Sequence, residues 1–266
     1  MSRFENLTPL YENIPSHSKN HSPSSKSNKQ MSNIITRHIP NTLTCANLVS
    51  GCIAVYYALC GDASTALLWI AAGAAFDFFD GMSARLLGVS SPIGKELDSL
   101  ADDVTFGVAP SAIVFAQLSV MRFEGLPDNV AQYLPHVAWV MAAFSALRLA
   151  KFNLDTRQTT SFIGMPTPAN ALFWASLLVS HGGWIESVPY MAYCLAALLG
   201  VSCWLMVSEV PMFALKFKTW GWQGNETRYG FIAVAAAVTA WLGPTSALWM
   251  VVVLYLLVSL WHSRRR

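Results

Sequence analysis

From residue 42 onward the chain reads as long apolar runs separated by short connections that collect most of the polar and charged residues. The runs cover about 42–60, 64–84, 98–120, 133–151, 167–183, 189–208, 228–243 and 245–262. Each approaches the roughly 20 apolar residues that cross about 30 Å of hydrocarbon. Backbone groups find no water in that medium, so each run predicts a helix that satisfies its own hydrogen bonds. The expectation is an all-α, polytopic membrane helical bundle of about eight spans. Only Leu242-Gly243-Pro244-Thr245 divides the last two, where Gly-Pro is a strong breaker. The stretch 34–41 (IITRHIPN) is too short to cross and predicts an interfacial lead-in.

The N-terminal stretch follows a different pattern. Ser16–Ser32 has no aliphatic residue to offset the entropy of ordering, and it lacks the apolar centre of a signal peptide. A disordered extension over 1–32 is expected, with Met31 opening the working protein and one membrane domain over 33–266. Composition agrees with a membrane class. Charged residues make up 12% of the 266, against about 25% in soluble domains, too few to cover a water-soluble surface. Five cysteines, all in or beside apolar runs, are too sparse for a disulfide scaffold and act as small hydrophobes. A net charge of +2 gives no reason to expect nucleic acid as a partner.

Orientation follows from the basic residues in the connections. With the N-terminus inside, Arg37, Arg85, Lys95, Arg148, Lys151, Arg157, Lys216, Lys218, Arg228 and Arg264–Arg266 fall on the cytosolic side, and only Arg122 falls outside. Both termini and the connection 85–97 are therefore expected in the cytosol.

Acidic residues within spans are expensive and usually functional. Asp77 and Asp80 are three apart at the end of the second run, and Asp98 and Asp102 are four apart at the start of the third. Each pair shares a helix face. The connection between them is short, so the two faces can meet across a hairpin. Four converging carboxylates repel unless cations lie between them, and oxygen-only ligands suit Mg²⁺ or Mn²⁺. Gly81 and Ala84 extend the acidic face without bulk, Gly94 clears the opposing helix one turn before Asp98, and Arg85 offers a fork for phosphate. Metal, fork and bulk-free wall together point to a diphosphate-bearing substrate.

Written out, the pattern is D-x2-D-G-x2-A-R-x8-G-x3-D-x3-D from Asp77 to Asp102, matched at all eight specified positions. It resembles the signature of the CDP-alcohol phosphatidyltransferase family. Further stretches are similar to the serine-using branch, the membrane-bound phosphatidylserine synthases. They are Ile39–Thr44 (IPNTLT), Ala101–Ser111 (ADDVTFGVAPS), Arg148–Asn153 (RLAKFN) and Phe162–Ala169 (FIGMPTPA). The resemblance implies a six-helix core with two added C-terminal transmembrane helices, and a homodimer. It implies that Asp77, Asp80 and Asp98 hold divalent cations on the diphosphate of CDP-diacylglycerol, and that Asp102 completes the metal site and acts as general base. It also implies that Asp80, Gly81, Ala84, Arg85 and Gly94 bind CDP-diacylglycerol. The expected reaction transfers the phosphatidyl group to the hydroxyl of L-serine, releasing CMP.

The acceptor needs partners for a carboxylate and an ammonium. Arg148 and Lys151 are candidates for the carboxylate, and equally for ordinary positive-inside anchors. Asn153 is expected as a helix-end cap, and Pro166 and Pro168 as the start of the fifth helix. Asp103 faces about 100° away from Asp102 on a helix and is left out of the metal site. The histidines form no ligand spacing. Glycerol 3-phosphate and inositol phosphate remain alternative acceptors, although either would want a richer basic pocket. A prenyltransferase would carry its acidic motifs on widely separated helices. A cation transporter would place its ion site near the bilayer midplane, whereas these aspartates lie at one edge.

Overall fold

A computed structural model of the chain describes residues 23–89, 91–155, 162–212, 221 and 225–263. Of the expected disordered extension, 1–22 lie outside the described residues, as do Arg157, Lys216, Lys218 and Arg264–Arg266 of the orientation argument. Contacts divide the chain into residues 1–36 and 37–266, and every residue of the bundle and of the site from Arg37 onward belongs to the second unit.

Helix α1 is Pro23–Leu59, α2 Ala63–Leu87 and α3 Pro92–Asp103. A π turn, Val104–Val108, continues α3 into α4, Ala109–Val120. The short α5, Asp128–Ala131, and a 3₁₀ segment, Leu134–Trp139, lead into α6, Val140–Leu154. Then come α7 Thr167–Ser187, α8 Met191–Val207, α9 Glu226–Leu242 and α10 Pro244–Ser263. Among the described residues, five stretches are long and apolar enough to cross a membrane: His38–Leu59, Ala63–Leu87, Pro92–Val120, Asp128–Leu154 and Pro244–Trp261. Met191–Val207 is a shorter apolar helix. The protein is a polytopic helical membrane bundle, and a helix occupies each of the eight runs.

Two boundaries correct the sequence expectation. Pro40 lies inside α1, so 34–41 belongs to the helix instead of forming a separate lead-in. Its ring removes one backbone hydrogen bond. Just beyond it, the Thr42 hydroxyl donates to the His38 carbonyl four residues back at 2.9 Å. The third helix begins at Pro92, six residues ahead of 98, because Ser91 caps it by accepting from Gly94 N at 3.0 Å and Pro92 occupies the first turn. Asp98 therefore sits more than a turn inside the helix. Gly88 closes α2 in the left-handed conformation, φ 62°, which glycine adopts without penalty.

The fold also holds one strand pairing that the helical pattern did not predict. Phe162–Ile163 pairs antiparallel with Pro211–Met212, joining the connection after α6 to the one after α8. Gly164, at φ 74°, leaves no room for a side chain: a Cβ there would stand 2.9 Å from the Ser208 carbonyl oxygen. The core centres on α7, which packs against α2, α4, α8 and α10. Trp174 of α7 is fully buried and satisfies its indole N–H on Ser202 Oγ of α8 at 3.1 Å. All five cysteines are free thiols.

Candidate active site

Three helices position the acidic site. Asp77 lies in the C-terminal half of α2, and Asp98 and Asp102 stand one turn apart on α3. One carboxylate oxygen from each of Asp77, Asp98 and Asp102 falls within 4.8 Å of the others. Asp98 Oδ1 is buried without a hydrogen-bond partner. An orphaned buried carboxylate oxygen in a close, all-oxygen group fits a hard divalent cation, which would supply the missing partner.

Asp80 is oriented differently from the other three. It is 6% exposed, and the Thr44 hydroxyl of α1 donates to its Oδ2 at 2.6 Å. With Asp98 it lines a cavity of about 240 Å³ whose wall includes Gly81, Ala84 and Gly94, together with Pro40, Asn41, Thr44, Val89, Ser91 and Lys95. The absence of side-chain bulk at Gly81, Ala84 and Gly94 leaves this space between α1, α2 and α3 open. Arg85 is exposed at the end of α2 and is not part of that wall; the cation on it is Lys95.

The acceptor candidates also part company. Arg148 is buried: its Nη1 donates to Thr167 Oγ1 at 3.4 Å, its guanidinium carbon lies 5.5 Å from the Phe152 ring centroid, and its Nε has no partner. Lys151 is exposed and donates to the Val207 carbonyl at the end of α8, 3.2 Å away. Both line a second, smaller cavity of about 40 Å³ with Asp155, Glu209 and Ser208. Asn153 is not the cap expected of it: α6 runs to Leu154 with Asp155 at its C-cap, and Asn153 instead donates from Nδ2 to Ser99 Oγ at 2.7 Å while Lys95 Nζ donates to its carbonyl at 3.0 Å, fastening α6 to α3. Asp103 stands outside the close group and faces Ser145 of α6.

Sequence reasoning missed the contribution of α1. Asn41, Thr44 and Asn47 recur every three residues, a polar stripe on an otherwise apolar span. The first two line the large cavity, and Asn47 Nδ2 donates to Asp102 Oδ1 at 3.1 Å. That period was the available signal.

The sequence model of the CDP-alcohol phosphatidyltransferase family matches residues 37–219, a region that holds α1 from Arg37 through α8 and stops before α9. Relatives named CDP-diacylglycerol–serine O-phosphatidyltransferase include one from Bacillus subtilis, 39% identical over 132 residues, covering 49% of this chain and 70% of the relative. One from Mycobacterium leprae is 30% identical over 229 residues, covering 82% and 72%. One from Methanocaldococcus jannaschii is 35% identical over 172 residues, covering 65% and 72%.

Proposed function

The chain belongs to the CDP-alcohol phosphatidyltransferase family, and on that premise we propose that it transfers the phosphatidyl group of CDP-diacylglycerol to L-serine, giving phosphatidylserine and CMP. The observation that carries this reading is the close group of Asp77, Asp98 and Asp102 beside a bulk-free cavity walled by Asp80, Gly81, Ala84 and Gly94. The shared name of the relatives supports serine as acceptor.

In the proposed reaction, CDP-diacylglycerol enters sideways from lipid, its acyl chains remaining in the bilayer and its nucleotide end in the large cavity. Asp77, Asp98 and Asp102, with Asp80 beside them, would hold Mg²⁺ or Mn²⁺. A bound divalent cation there supplies charge neutralisation for the diphosphate and the departing CMP. Arg148, on the wall of the small cavity, takes the serine carboxylate. Asp155 and Glu209, on the wall of the same small cavity, offer negative charge for the ammonium. Asp102 accepts the hydroxyl proton as the serine oxygen attacks the lipid-side phosphorus, and the bond from that phosphorus to the CMP oxygen breaks.

The eight helices all cross in this reading, with both termini and the site on the cytosolic side. The split of twelve basic residues to one between the two sets of connections supports that orientation. Family membership supports a homodimer.

The deciding experiment incubates purified protein with CDP-diacylglycerol, Mn²⁺ or Mg²⁺, and separately serine, glycerol 3-phosphate or inositol phosphate, and measures CMP release. Release with serine alone is expected. Release only with a phosphorylated alcohol would overturn the acceptor, and none with any would overturn the reaction. Asp102→Asn is expected to lower turnover by about 10²-fold or more, and Asp77→Ala or chelation of the metal to abolish it. Asp102→Asn at near-normal turnover would remove Asp102 from the base role.

A further inference from the structure

We propose that Asn47 is a positioning residue for Asp102: its side-chain amide holds one carboxylate oxygen and so commits the other to the cation and the serine proton. The premise is Asp102's place in the chemistry proposed above. Asn47 lies on α1 with no exposed surface. Its Nδ2 donates to Asp102 Oδ1 at 3.1 Å, which is the one side-chain hydrogen bond to that carboxylate among the described residues. The same residue is tied a second time, because its main-chain carbonyl accepts from the Thr105 hydroxyl at 3.0 Å. Thr105 stands three residues beyond Asp102, inside the π turn. Helix α1 thus holds both the aspartate and the π turn three residues beyond it.

The amide is held in one sense. Asn47 Oδ1 is buried without a partner and lies against α2, where a Cβ added at Gly73 would stand 2.8 Å from it. Turning the amide over would set that oxygen against Asp102 Oδ1, two acceptors with no proton between them, since an ionised carboxylate only accepts. An unsatisfied buried carbonyl carries a desolvation cost, and an orientation fixed on the carboxylate accounts for its persistence. Groups that orient a metal-binding carboxylate in this way change metal affinity or activity about 10- to 100-fold when removed.

The test uses full-length Asn47→Leu, Asn47→Asp, Asp102→Asn and the double variant Asn47→Leu/Asp102→Asn. Rates are read by CMP release, Mn²⁺ affinity by electron paramagnetic resonance without lipid substrate, and folding by thermal unfolding. Asn47→Leu is expected to lower kcat about 10- to 100-fold with KM for serine and CDP-diacylglycerol within about twofold, and to weaken Mn²⁺ binding about tenfold. Asn47→Asp keeps the shape but has no N–H to donate, and it is expected to lose kcat to a similar extent. In the Asp102→Asn background the Asn47→Leu change should alter rate and Mn²⁺ affinity by no more than about twofold.

Equal losses in both backgrounds would make Asn47 a general structural tie and overturn the inference. So would Asn47→Leu with wild-type kcat and Mn²⁺ affinity. If Asn47→Leu does not fold, wild-type kcat in Asn47→Asp overturns it alone. Normal turnover in Asp102→Asn would instead remove the premise, whereas an inactive Asp102→Asn beside normal Asn47 variants would sink only the role of Asn47.

Discussion

Gly51 is where steric contact on α1 reaches the chemistry on α3. A Cβ built there would stand 2.8 Å from Thr105 Cα and 2.9 Å from Thr105 N, in addition to touching the Thr105 hydroxyl. Carbon contacts normally sit at about 3.5–4.0 Å. Two of these atoms are backbone, so no rotamer change relieves the overlap, and α1 and the π turn must part by at least about half an ångström. Overpacking of this kind costs about 1–3 kcal/mol. Alanine in a helix recovers about 1 kcal/mol relative to glycine, so Gly51→Ala should destabilise the fold by only about 0–2 kcal/mol. The effect on catalysis is expected to be larger, because the displaced segment begins two residues after Asp102 and misplacement by about 1 Å costs about 10²-fold in rate. Gly51→Ala is therefore expected to lose about tenfold or more in kcat while unfolding within a few degrees of the parent. Gly200 on α8 supplies the control: nothing lies within 4 Å of its added Cβ, so Gly200→Ala should keep the parent rate. CMP release in detergent and thermal unfolding followed by tryptophan fluorescence measure both quantities. A Gly51→Ala protein with parental kcat would refute the idea that the approach of α1 to the π turn sets the position of Asp102.

Two further expectations concern single charged groups. Arg148→Gln removes the proposed partner of the serine carboxylate; a hydrogen bond to a charged group contributes about 1.5–3 kcal/mol. KM for serine should therefore rise about 10- to 100-fold, with KM for CDP-diacylglycerol unchanged, and an unchanged serine KM in steady-state assays would exclude the role. Asp62 caps α2, and the hydrogen bonds it accepts from Thr65, side chain and backbone, hold its carboxyl below the usual carboxylate range. A depressed folded-state value means the stabilisation is present above about pH 4 and is lost as pH falls through the folded-state value. Asp62→Asn should flatten the fall of unfolding temperature between about pH 5 and 3, and an identical slope in the two proteins would show the cap contributes nothing.

The helices were legible because the bilayer imposes one period and one length on every crossing segment. Asp77, Asp98 and Asp102 were legible because carboxylates are rare in spans, so their i+3 and i+4 spacing stands out from an apolar background. What escaped was set by contacts between distant parts of the chain. The Thr44–Asp80 and Asn47–Asp102 bonds join residues 36 and 55 positions apart, and uncharged side chains in a span look like ordinary polar interruptions. Arg85 was picked out by its spacing, and its guanidinium lies 4.0 Å from the Cβ position of Gly81, which lines the large cavity. The start of α3 was placed late because Pro92 and Lys95 break the apolar run, although Ser91-Pro92 is a capping sequence on local grounds. The two-residue strand pairing carries no periodic signal.

The π turn at Val104–Val108 has a consequence for how this span can change over evolutionary time. Ala109 N–H bonds back five residues to the Val104 carbonyl, one more than an α-helix allows, so the span contains a residue that its height does not require. The angular phase of the helix is reset at that point. Asp98 and Asp102 precede the reset; Ala109, Pro110, Ser111, Ala112, Ile113 and Val114, all buried, follow it. Losing that one residue would restore regular pitch and rotate one half against the other by about 100°, swinging the carboxylates off their partners while leaving length and hydrophobicity almost untouched. The span behaves as two coupled dials, one set for chemistry and one for packing, and an insertion of a single residue holds them at their mutual offset.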